Sequence, residues 1–246
     1  MELHVLGSGS SGNCYLLKSS TGYLVIEAGV KFLEVKKAIN FDLSNIVACI
    51  VSHEHNDHAK YLKDFVDSGI KCLALNEVFA AKGIDVSSRF VKTIRVGGAY
   101  KVGEFKIIVF QAFHDVPCVG FVVNHPESGT ILFLTDSYTC ENTFRGLNHI
   151  LIECNFSDSI LSDNVEKGIV PKVLQSRLYQ SHMGLYACKE VLNNNDLTDI
   201  SNIVLIHLSN DNSHERQFVE EVQRSTGKPV YAAKEGLILN LDKLAY

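Results

Sequence analysis

Three histidines and an aspartate lie within six residues of one short polar segment. The segment reads Ser52-His53-Glu54-His55-Asn56-Asp57-His58 and directly follows the apolar run from residue 46 to residue 51. In an extended or turning chain, His53 and His55 can point to the same side, and Asp57 and His58 can then face a neighbouring point. Neutral imidazole and carboxylate groups are ligands that zinc, manganese and iron accept. This pattern is rare in a solvated polar loop, so it predicts a divalent metal site.

The HxHxDH pattern resembles the signature of the metallo-β-lactamase superfamily, and further motifs of that superfamily occur in the expected order. Three more candidates each follow an apolar strand pattern: His114, Asp136 and His207. The resemblance implies two metal ions that share Asp136 as a bridging ligand. The implied ligands are His53, His55 and His114 for one ion, and Asp57, His58 and His207 for the other. We expect zinc in both positions, with manganese and iron as alternatives.

The opening from Leu6 to Cys14, LGSGSSGNC, narrows this resemblance to the YycJ-like branch, which is related to phosphodiesterases and nucleases. Later stretches similar to that branch are Phe113–Asp115, Leu134–Ser137, Leu151–Asn155 and His207–Ser209. The resemblance implies an α/β fold of four layers, the αββα sandwich, in which helices cover two mixed sheets. It also implies that the site lies along one edge, between the two sheets.

The elements that must position these residues can be read from the hydrophobic pattern. Strand patterns occur at Leu3–Leu6, Cys14–Lys18, Tyr23–Glu27, Ile46–Ser52, Phe105–Gln111, Gly120–Asn124, Thr130–Thr135, His149–Glu153, Asn202–Ile206 and Leu237–Leu241. Helical patterns occur at Phe32–Ile39, Tyr61–Ser68, Glu77–Lys82, Lys172–Gln180, Leu185–Asn193 and Glu215–Ser225. Asn212 and Glu215 suggest a reciprocal cap on the last helix. The alternation predicts sheets covered by helices within one domain of residues 1–246, but periodicity alone does not distinguish two sheets from one.

His182 and Glu27 bear most directly on the chemistry. In the phosphodiesterase branches that the chain resembles, a histidine upstream of the last ligand contacts the scissile phosphate, and His182 has a suitable position. A histidine at a helix start or on the surface is the alternative interpretation. Glu27 stands where the superfamily usually has an aspartate that orients the ligands. Met183-Gly184 stands where YycJ-like proteins tend to have Leu-Ser, so the substrate contacts are expected to differ in detail.

Composition limits the partners and the location of the protein. The formal net charge of −5 argues against a broad basic face that grips long duplexes. The chain has neither an apolar run long enough for a membrane span nor the features of a secretory signal, so we expect a cytoplasmic protein without a membrane partner. Seven cysteines without CxxC spacing indicate reduced thiols rather than a disulfide framework. Exposed sheet edges could pair two copies of the chain, so a homodimer is possible.

These features together predict a dinuclear metal-dependent hydrolase, foremost a phosphodiesterase or nuclease. Its substrate would be DNA, RNA or a small, for instance cyclic, nucleotide, attacked by a hydroxide that bridges the two metals. Asp57 or Asp136 would accept a proton, and His182 would stabilise the leaving oxygen. The main alternative is hydrolysis of a carbonyl substrate of the thioester, lactone or β-lactam type. A diiron redox enzyme and a non-catalytic binding module that has kept the fold are the remaining alternatives.

Overall fold

Fourteen strands form two sheets in the computed structural model, which describes residues 1–243. The first seven strands in chain order are β1 (Glu2–Gly7), β2 (Cys14–Ser19), β3 (Gly22–Ile26), β4 (Ile46–Ile50), β5 (Cys72–Ala74), β6 (Val91–Thr93) and β7 (Ala99–Val102). The other seven are β8 (Phe105–Ala112), β9 (Cys118–His125), β10 (Gly129–Leu134), β11 (His149–Glu153), β12 (Asn202–Ile206), β13 (Val230–Ala232) and β14 (Ile238–Asn240).

Both sheets combine antiparallel and parallel pairing. The first sheet has the order β14-β1-β2-β3-β4-β5-β6, and the second has the order β13-β12-β11-β10-β9-β8-β7. In the first sheet the pairing from β3 through β6 is parallel, and in the second it is parallel from β10 through β13. The other pairs are antiparallel. In open α/β sheets, ligands bind beyond the carboxyl ends of such parallel strands, so this edge is where a site is expected.

Eight helices accompany the sheets within residues 1–243, together with a short 3₁₀ turn at Leu43–Asn45. They are α1 (Phe32–Ala38), α2 (Asn56–Ala59), α3 (Leu62–Asp67), α4 (Asn76–Ala81), α5 (Asp158–Glu166), α6 (Lys172–Ser181), α7 (Leu185–Asn193) and α8 (Glu215–Thr226). Apolar side chains of α1, α3 and α4 pack on the outer face of the first sheet, and those of α7 and α8 pack on the outer face of the second. The αββα sandwich predicted from the sequence is therefore confirmed.

Alternating side chains on each strand supply the two faces of each sheet. On β10, Ile131 and Phe133 point into the core between the sheets, whereas Leu132 and Leu134 pack towards the helices. Because every second residue of a strand shares a face, one apolar strand can fill two separate cores. This double burial explains why the central strands are almost continuously apolar in the sequence.

Most of the predicted elements are present, and the differences have physical causes. The bounds of β11, β12 and α7 are as predicted, and most other bounds differ by one or two residues. The sequence patterns missed β5, β6, β7 and β13, which have three or four residues each, and also the helices α2 and α5. Three or four residues are too few for a hydrophobic period to emerge, so such strands exist only through pairing with a neighbour.

The predicted cap of α8 by Asn212 is wrong. His214 is the N-terminal cap, and its Nδ1 accepts a hydrogen bond from the backbone N–H of Gln217 at 3.2 Å. The Asn212 side chain instead accepts a hydrogen bond from Asn164 Nδ2 at 2.9 Å. Because Asn212 has a tertiary partner nearby, the cap falls to the residue that directly precedes the helix.

Two further predictions concern cysteines and membranes. All seven cysteines are free in the structure, and six of them are buried, which is the placement predicted for core cysteines; their reduced state stays a prediction. Within residues 1–243, the helices are too short and too polar for any of them to span a bilayer.

Candidate metal centre

The predicted ligands meet at the edge of the sandwich where the strands end. The segment that carries His53, His55, Asp57 and His58 follows β4, and Asp57 and His58 lie on α2. His114 follows β8, Asp136 follows β10 and His207 follows β12. These strands belong to both sheets, so the cluster exists only when the two sheets pack together. The structure brings together all seven residues that the sequence predicts as ligands.

The first group of donor atoms comprises His53, His55, His114 and Asp136, all within 4.8 Å of one another. His55 Nδ1 lies 3.1 Å from His114 Nε2. Asp136 Oδ2 lies 3.7 Å from His53 Nε2 and 3.8 Å from His114 Nε2. Three imidazoles and one carboxylate oxygen therefore converge on one point.

The second group comprises Asp57, His58, His207 and the same Asp136, again with all donor atoms within 4.8 Å. Asp57 Oδ2 lies 3.3 Å from His58 Nε2 and 3.2 Å from His207 Nε2. Asp136 contributes Oδ1, which lies 3.4 Å from His58 Nε2. The two carboxylate oxygens of Asp136 thus face different groups, which is the position that a bridging ligand requires.

Backbone strain marks three residues of this edge. Glu27, Asp136 and His207 have φ values of 69°, 46° and 54°, in the left-handed region that residues with a Cβ rarely adopt. Each of the three directly follows a strand or lies one residue beyond it. Such strain costs on the order of 1–3 kcal/mol per residue, and it persists where the surroundings over-determine the conformation. Here it turns each side chain out of the strand direction and towards the cluster.

Neighbouring polar groups orient the histidines. The Nδ1–H of His114 donates to the carbonyl oxygen of Ser181 at 2.6 Å, which leaves the lone pair on Nε2 facing the cluster. His53 Nδ1 shares a hydrogen bond of 2.9 Å with Ser52 Oγ. His58 Nδ1 lies 3.5 Å from Oε2 of the fully buried Glu27. Glu27 therefore faces His58 Nδ1 in an ion pair longer than a hydrogen bond, and the orienting role expected at that position stays a prediction.

His182 lies beside both donor groups and is held by a buried glutamate that the sequence analysis missed. Its Nδ1 donates to Glu153 Oε1 at 2.7 Å, and its ring stacks on the ring of His207 at 5.4 Å between centroids. Glu153 Oε1 also accepts from His207 Nδ1 at 3.2 Å. Its other oxygen accepts backbone hydrogen bonds from Ser137 and Met183. Glu153 thus fixes His182 and His207 together.

Burial and neighbouring charges shift the pKa values of the histidines in opposite directions. Burial and the nearby His58 lower the pKa of His53 well below its usual range, so this ring is neutral, the form in which imidazole can bind a metal. Burial also disfavours a charge on His207, but Asp136, Asp57 and Glu153 raise its pKa to about 10. For His182, burial is likewise outweighed by Glu153, and its pKa is raised. The carboxylates around His207 therefore favour a positive charge at this point, which either a proton or a bound cation can supply.

Three more residues of the site were not predicted from the sequence. Asp115 Oδ1 lies 3.1 Å from His114 Nε2 and 3.4 Å from His55 Nε2, at the rim of the first donor group. Asn13 Nδ2 lies 3.1 Å from His58 Nε2, and Asn155 Nδ2 lies 3.1 Å from His207 Nδ1. All three lie in stretches that resemble family motifs, but short polar residues next to a strand are common and do not signal their partners.

The donor set fits two divalent cations. Each group offers imidazole nitrogens and carboxylate oxygens, the ligand types that zinc and related metals accept. His53 Nε2 is completely buried and has no hydrogen-bond partner within residues 1–243, and a buried nitrogen of this kind is costly unless it is satisfied. A cation at the first point would satisfy it. A third group, Asp136, Glu153, His182 and His207, overlaps the second and describes the setting of His182.

Comparison with known proteins gives relatives with this fold. The chain is 26% identical over 172 residues to exodeoxyribonuclease WalJ of Streptococcus pneumoniae, and the match covers 64% of this chain and 63% of that protein. It is 25% identical to exodeoxyribonuclease YycJ of Bacillus anthracis over 96% of this chain and 94% of that one. Among solved structures, YhfI from Bacillus subtilis superposes with a TM-score of 0.71 at 16% identity and covers 97% of this chain and 99% of its own.

The match to WalJ thus spans less than two thirds of that protein, whereas the match to YycJ spans nearly all of it. The family model described as the metallo-beta-lactamase superfamily matches residues 7–138, which include six of the seven predicted ligands and more than half of the chain. The superfamily resemblance inferred from the sequence is therefore confirmed: this chain belongs to the metallo-beta-lactamase superfamily.

Proposed function

We propose that the protein is a metal-dependent phosphodiesterase that holds two divalent ions. The first ion would be held by His53, His55 and His114, the second by Asp57, His58 and His207, and both by Asp136. Zinc suits this set of nitrogen and oxygen ligands best, and manganese and iron are the alternatives. When bound, two such ions supply Lewis-acid stabilisation of a phosphate and lower the pKa of a water molecule between them.

The observation that carries the phosphodiester assignment is the position of His182. Its ring contacts His207 and lies within 5.5 Å of the His114 ring, so it borders both donor groups. It also lines an open cavity next to His207, from which a substrate can approach. A histidine at this point can donate a hydrogen bond or a proton to the leaving oxygen of a phosphodiester.

The remaining roles belong to this chain's carboxylates. Asp57 Oδ2 lies at the edge of the second donor group and is partly exposed, so it can accept a proton from the attacking water. Glu153 keeps Nδ1 of His182 engaged, so that Nε2 is the nitrogen left for the substrate. No side chain needs to act as a nucleophile.

The relatives favour nucleic acid as the substrate class. Two proteins that are about 25% identical to this chain over the residues they match are named exodeoxyribonucleases. We therefore propose DNA ends as the first substrates to test, with RNA ends and small nucleotides as alternatives. The cytoplasmic location and the single domain of residues 1–246 remain predictions. A homodimer remains an alternative to the monomer.

The test is turnover of bis(p-nitrophenyl) phosphate by protein reconstituted with zinc or manganese. We expect activity in the unchanged protein, loss of bound metal and activity in Asp136→Ala, and about 100-fold lower turnover with unchanged metal content in His182→Ala. His4→Ala is the control, because His4 lies on β1 and pairs with Glu2 instead of the cluster. If the protein binds two ions but turns over only thioesters or lactones, the carbonyl alternative replaces this proposal.

A further inference from the structure

A cavity of about 280 Å³ adjoins the metal centre on the side of α6. His182 and His207 are among the residues that line it. Other lining residues belong to the turn between α5 and α6, to α6, and to the chain that follows His207. A group attached to a phosphate at the metal centre would therefore enter this space directly.

The two walls of the cavity differ in chemistry. The wall formed by the start of α6 and the preceding turn is apolar and includes Val170, Leu174 and Leu178. Most of the remaining lining residues are polar, and they include Ser10, Ser209 and Asn212. A flat group with apolar faces and a polar edge matches such a pair of walls, and a nucleobase is a group of this kind.

Two apolar side chains of the cavity lining are exposed to solvent, as in many ligand-binding sites. Ile169 is 60% exposed and Leu174 is 39% exposed, and both line the cavity. Exposed apolar residues beside a polar cluster are typical of ligand-binding surfaces. Pockets for drug-sized ligands have volumes of roughly 300–1,000 Å³, so this smaller cavity suits one nucleoside rather than a longer segment.

We propose that this cavity binds the nucleoside of the nucleotide whose phosphate lies at the metal centre. The inference rests on the proposed phosphodiesterase function and adds a substrate class to it. The protein would then recognise a terminal nucleotide through its nucleoside as well as through its phosphate.

The test measures binding separately from turnover. Isothermal titration calorimetry of the metal-loaded protein compares thymidine 5′-monophosphate with inorganic phosphate. We expect the nucleotide to bind at least about tenfold more tightly than phosphate, because stacking a base on protein contributes roughly 1–3 kcal/mol. Equal affinity for the two ligands would overturn the proposal.

Variants of the apolar wall locate the effect. Leu174→Ala and Ile169→Ser are expected to weaken nucleotide binding about three- to tenfold and to leave phosphate binding within twofold. Val173→Ala is the matched control, since Val173 neighbours Leu174 on α6, is 84% exposed and does not line the cavity. If the wall variants weaken both ligands equally, or if the control behaves like them, the cavity is not a nucleoside site.

A kinetic comparison then separates this inference from the proposed function. The substrates are thymidine 5′-(p-nitrophenyl phosphate) and methyl p-nitrophenyl phosphate, which share a leaving group and differ in the nucleoside. We expect Leu174→Ala to raise KM about fivefold for the first substrate only. No turnover of either substrate, together with selective nucleotide binding, contradicts the proposed function and supports the nucleoside site. Turnover with equal KM changes for both substrates contradicts the nucleoside site alone.

Discussion

At the scale of single residues, the site depends on buried carboxylates that act through histidines. Glu27 and Glu153 are both completely buried, and each faces at least one histidine of the cluster. A carboxylate behind a histidine ligand fixes the orientation of the ring and raises its basicity. Removing such a partner typically reduces metal affinity or activity 10- to 100-fold. Two predictions follow from this arrangement.

Glu27→Asp is expected to weaken the second metal site. The shorter side chain withdraws the carboxylate by about 1.5 Å from His58 Nδ1, which it faces at 3.5 Å. We expect the dissociation constant of one ion to rise about tenfold and that of the other to change little, measured by competition with a chromophoric chelator. Equal weakening of both sites would show that Glu27 acts on the whole cluster and not through His58.

Glu153→Gln is expected to affect both metal affinity and turnover. Its carboxylate accepts hydrogen bonds from His182 and His207 on the same oxygen, and a neutral amide cannot hold both rings equally well. We expect kcat to fall 10- to 100-fold with a small change in KM, and metal affinity to fall as well. His182→Ala serves as the comparison, because it should lower kcat without loss of metal. Unchanged metal affinity in Glu153→Gln would refute the contact with His207 as a functional one.

At the scale of elements, the metal-bearing segment is fitted closely against the first loops. The backbone oxygen of Asp57 accepts a hydrogen bond from the N–H of Asn13 at 2.7 Å, and Ala28 N–H donates to the backbone oxygen of His58 at the same distance. α2 is therefore held by backbone contacts from two loops rather than by its own four residues. Helix α6 is joined to the same region by the 3.1 Å ion pair between Arg177 and Asp115.

Gly29→Ala is expected to displace α2 and disrupt the site. A Cβ at Gly29 would lie 1.7 Å from the backbone oxygen of Asp57, and backbone cannot yield as a flexible side chain does. We expect a loss of at least about 3 kcal/mol in the free energy of unfolding, together with loss of one or both ions, measured by urea denaturation and metal analysis.

Gly83→Ala is the control for this substitution. Nothing lies within 4 Å of a Cβ at Gly83, although its φ of +60° makes alanine mildly unfavourable. We expect a cost of only about 1 kcal/mol and no effect on the metal content. A Gly29→Ala protein as stable as this control, with both ions bound, would contradict the close approach.

At the scale of the whole molecule, stability depends on pH through a histidine far from the metal centre. His149 begins β11, is fully buried, and accepts a hydrogen bond from Asn202 Nδ2 at 3.1 Å. Burial lowers its pKa from 6.5 to about 4, although the carbonyl of Leu241 partly opposes this. The neutral ring is therefore favoured in the folded state and the charged ring in the unfolded state.

The sign of the effect follows from this depressed pKa. His149 contributes its full stability above pH 6.5, and the contribution is lost as the pH falls from 6.5 towards 4. We expect the unchanged protein to lose about 2 kcal/mol more than His149→Gln between pH 7.5 and pH 5, because the amide does not titrate. Urea denaturation at the two pH values measures this difference, and effects common to both proteins cancel. Parallel losses in the two proteins would contradict the assignment.

The HxHxDH motif and the motifs that follow it indicated the superfamily, and that resemblance implied the αββα layers and the candidate metal ligands. The candidate ligands meet because they lie in segments that follow apolar strands, and the carboxyl ends of those strands meet at one edge of the sandwich. The pattern of histidines and aspartates is thus a local signal that predicts a tertiary cluster. The position of His182 next to that cluster was also expected, although its partner was not.

Only the tertiary structure decided which groups stand behind those ligands. Glu153 meets His182 and His207, and Asn13 meets His58, across separations of 29 residues or more, and no local periodicity records such contacts. The cap of α8 and the shortest strands were likewise decided by neighbours distant in sequence. The end of a strand can be predicted from sequence because the run of buried apolar residues stops there. The partners of a buried carboxylate cannot be predicted in this way, because they depend on how the two sheets pack.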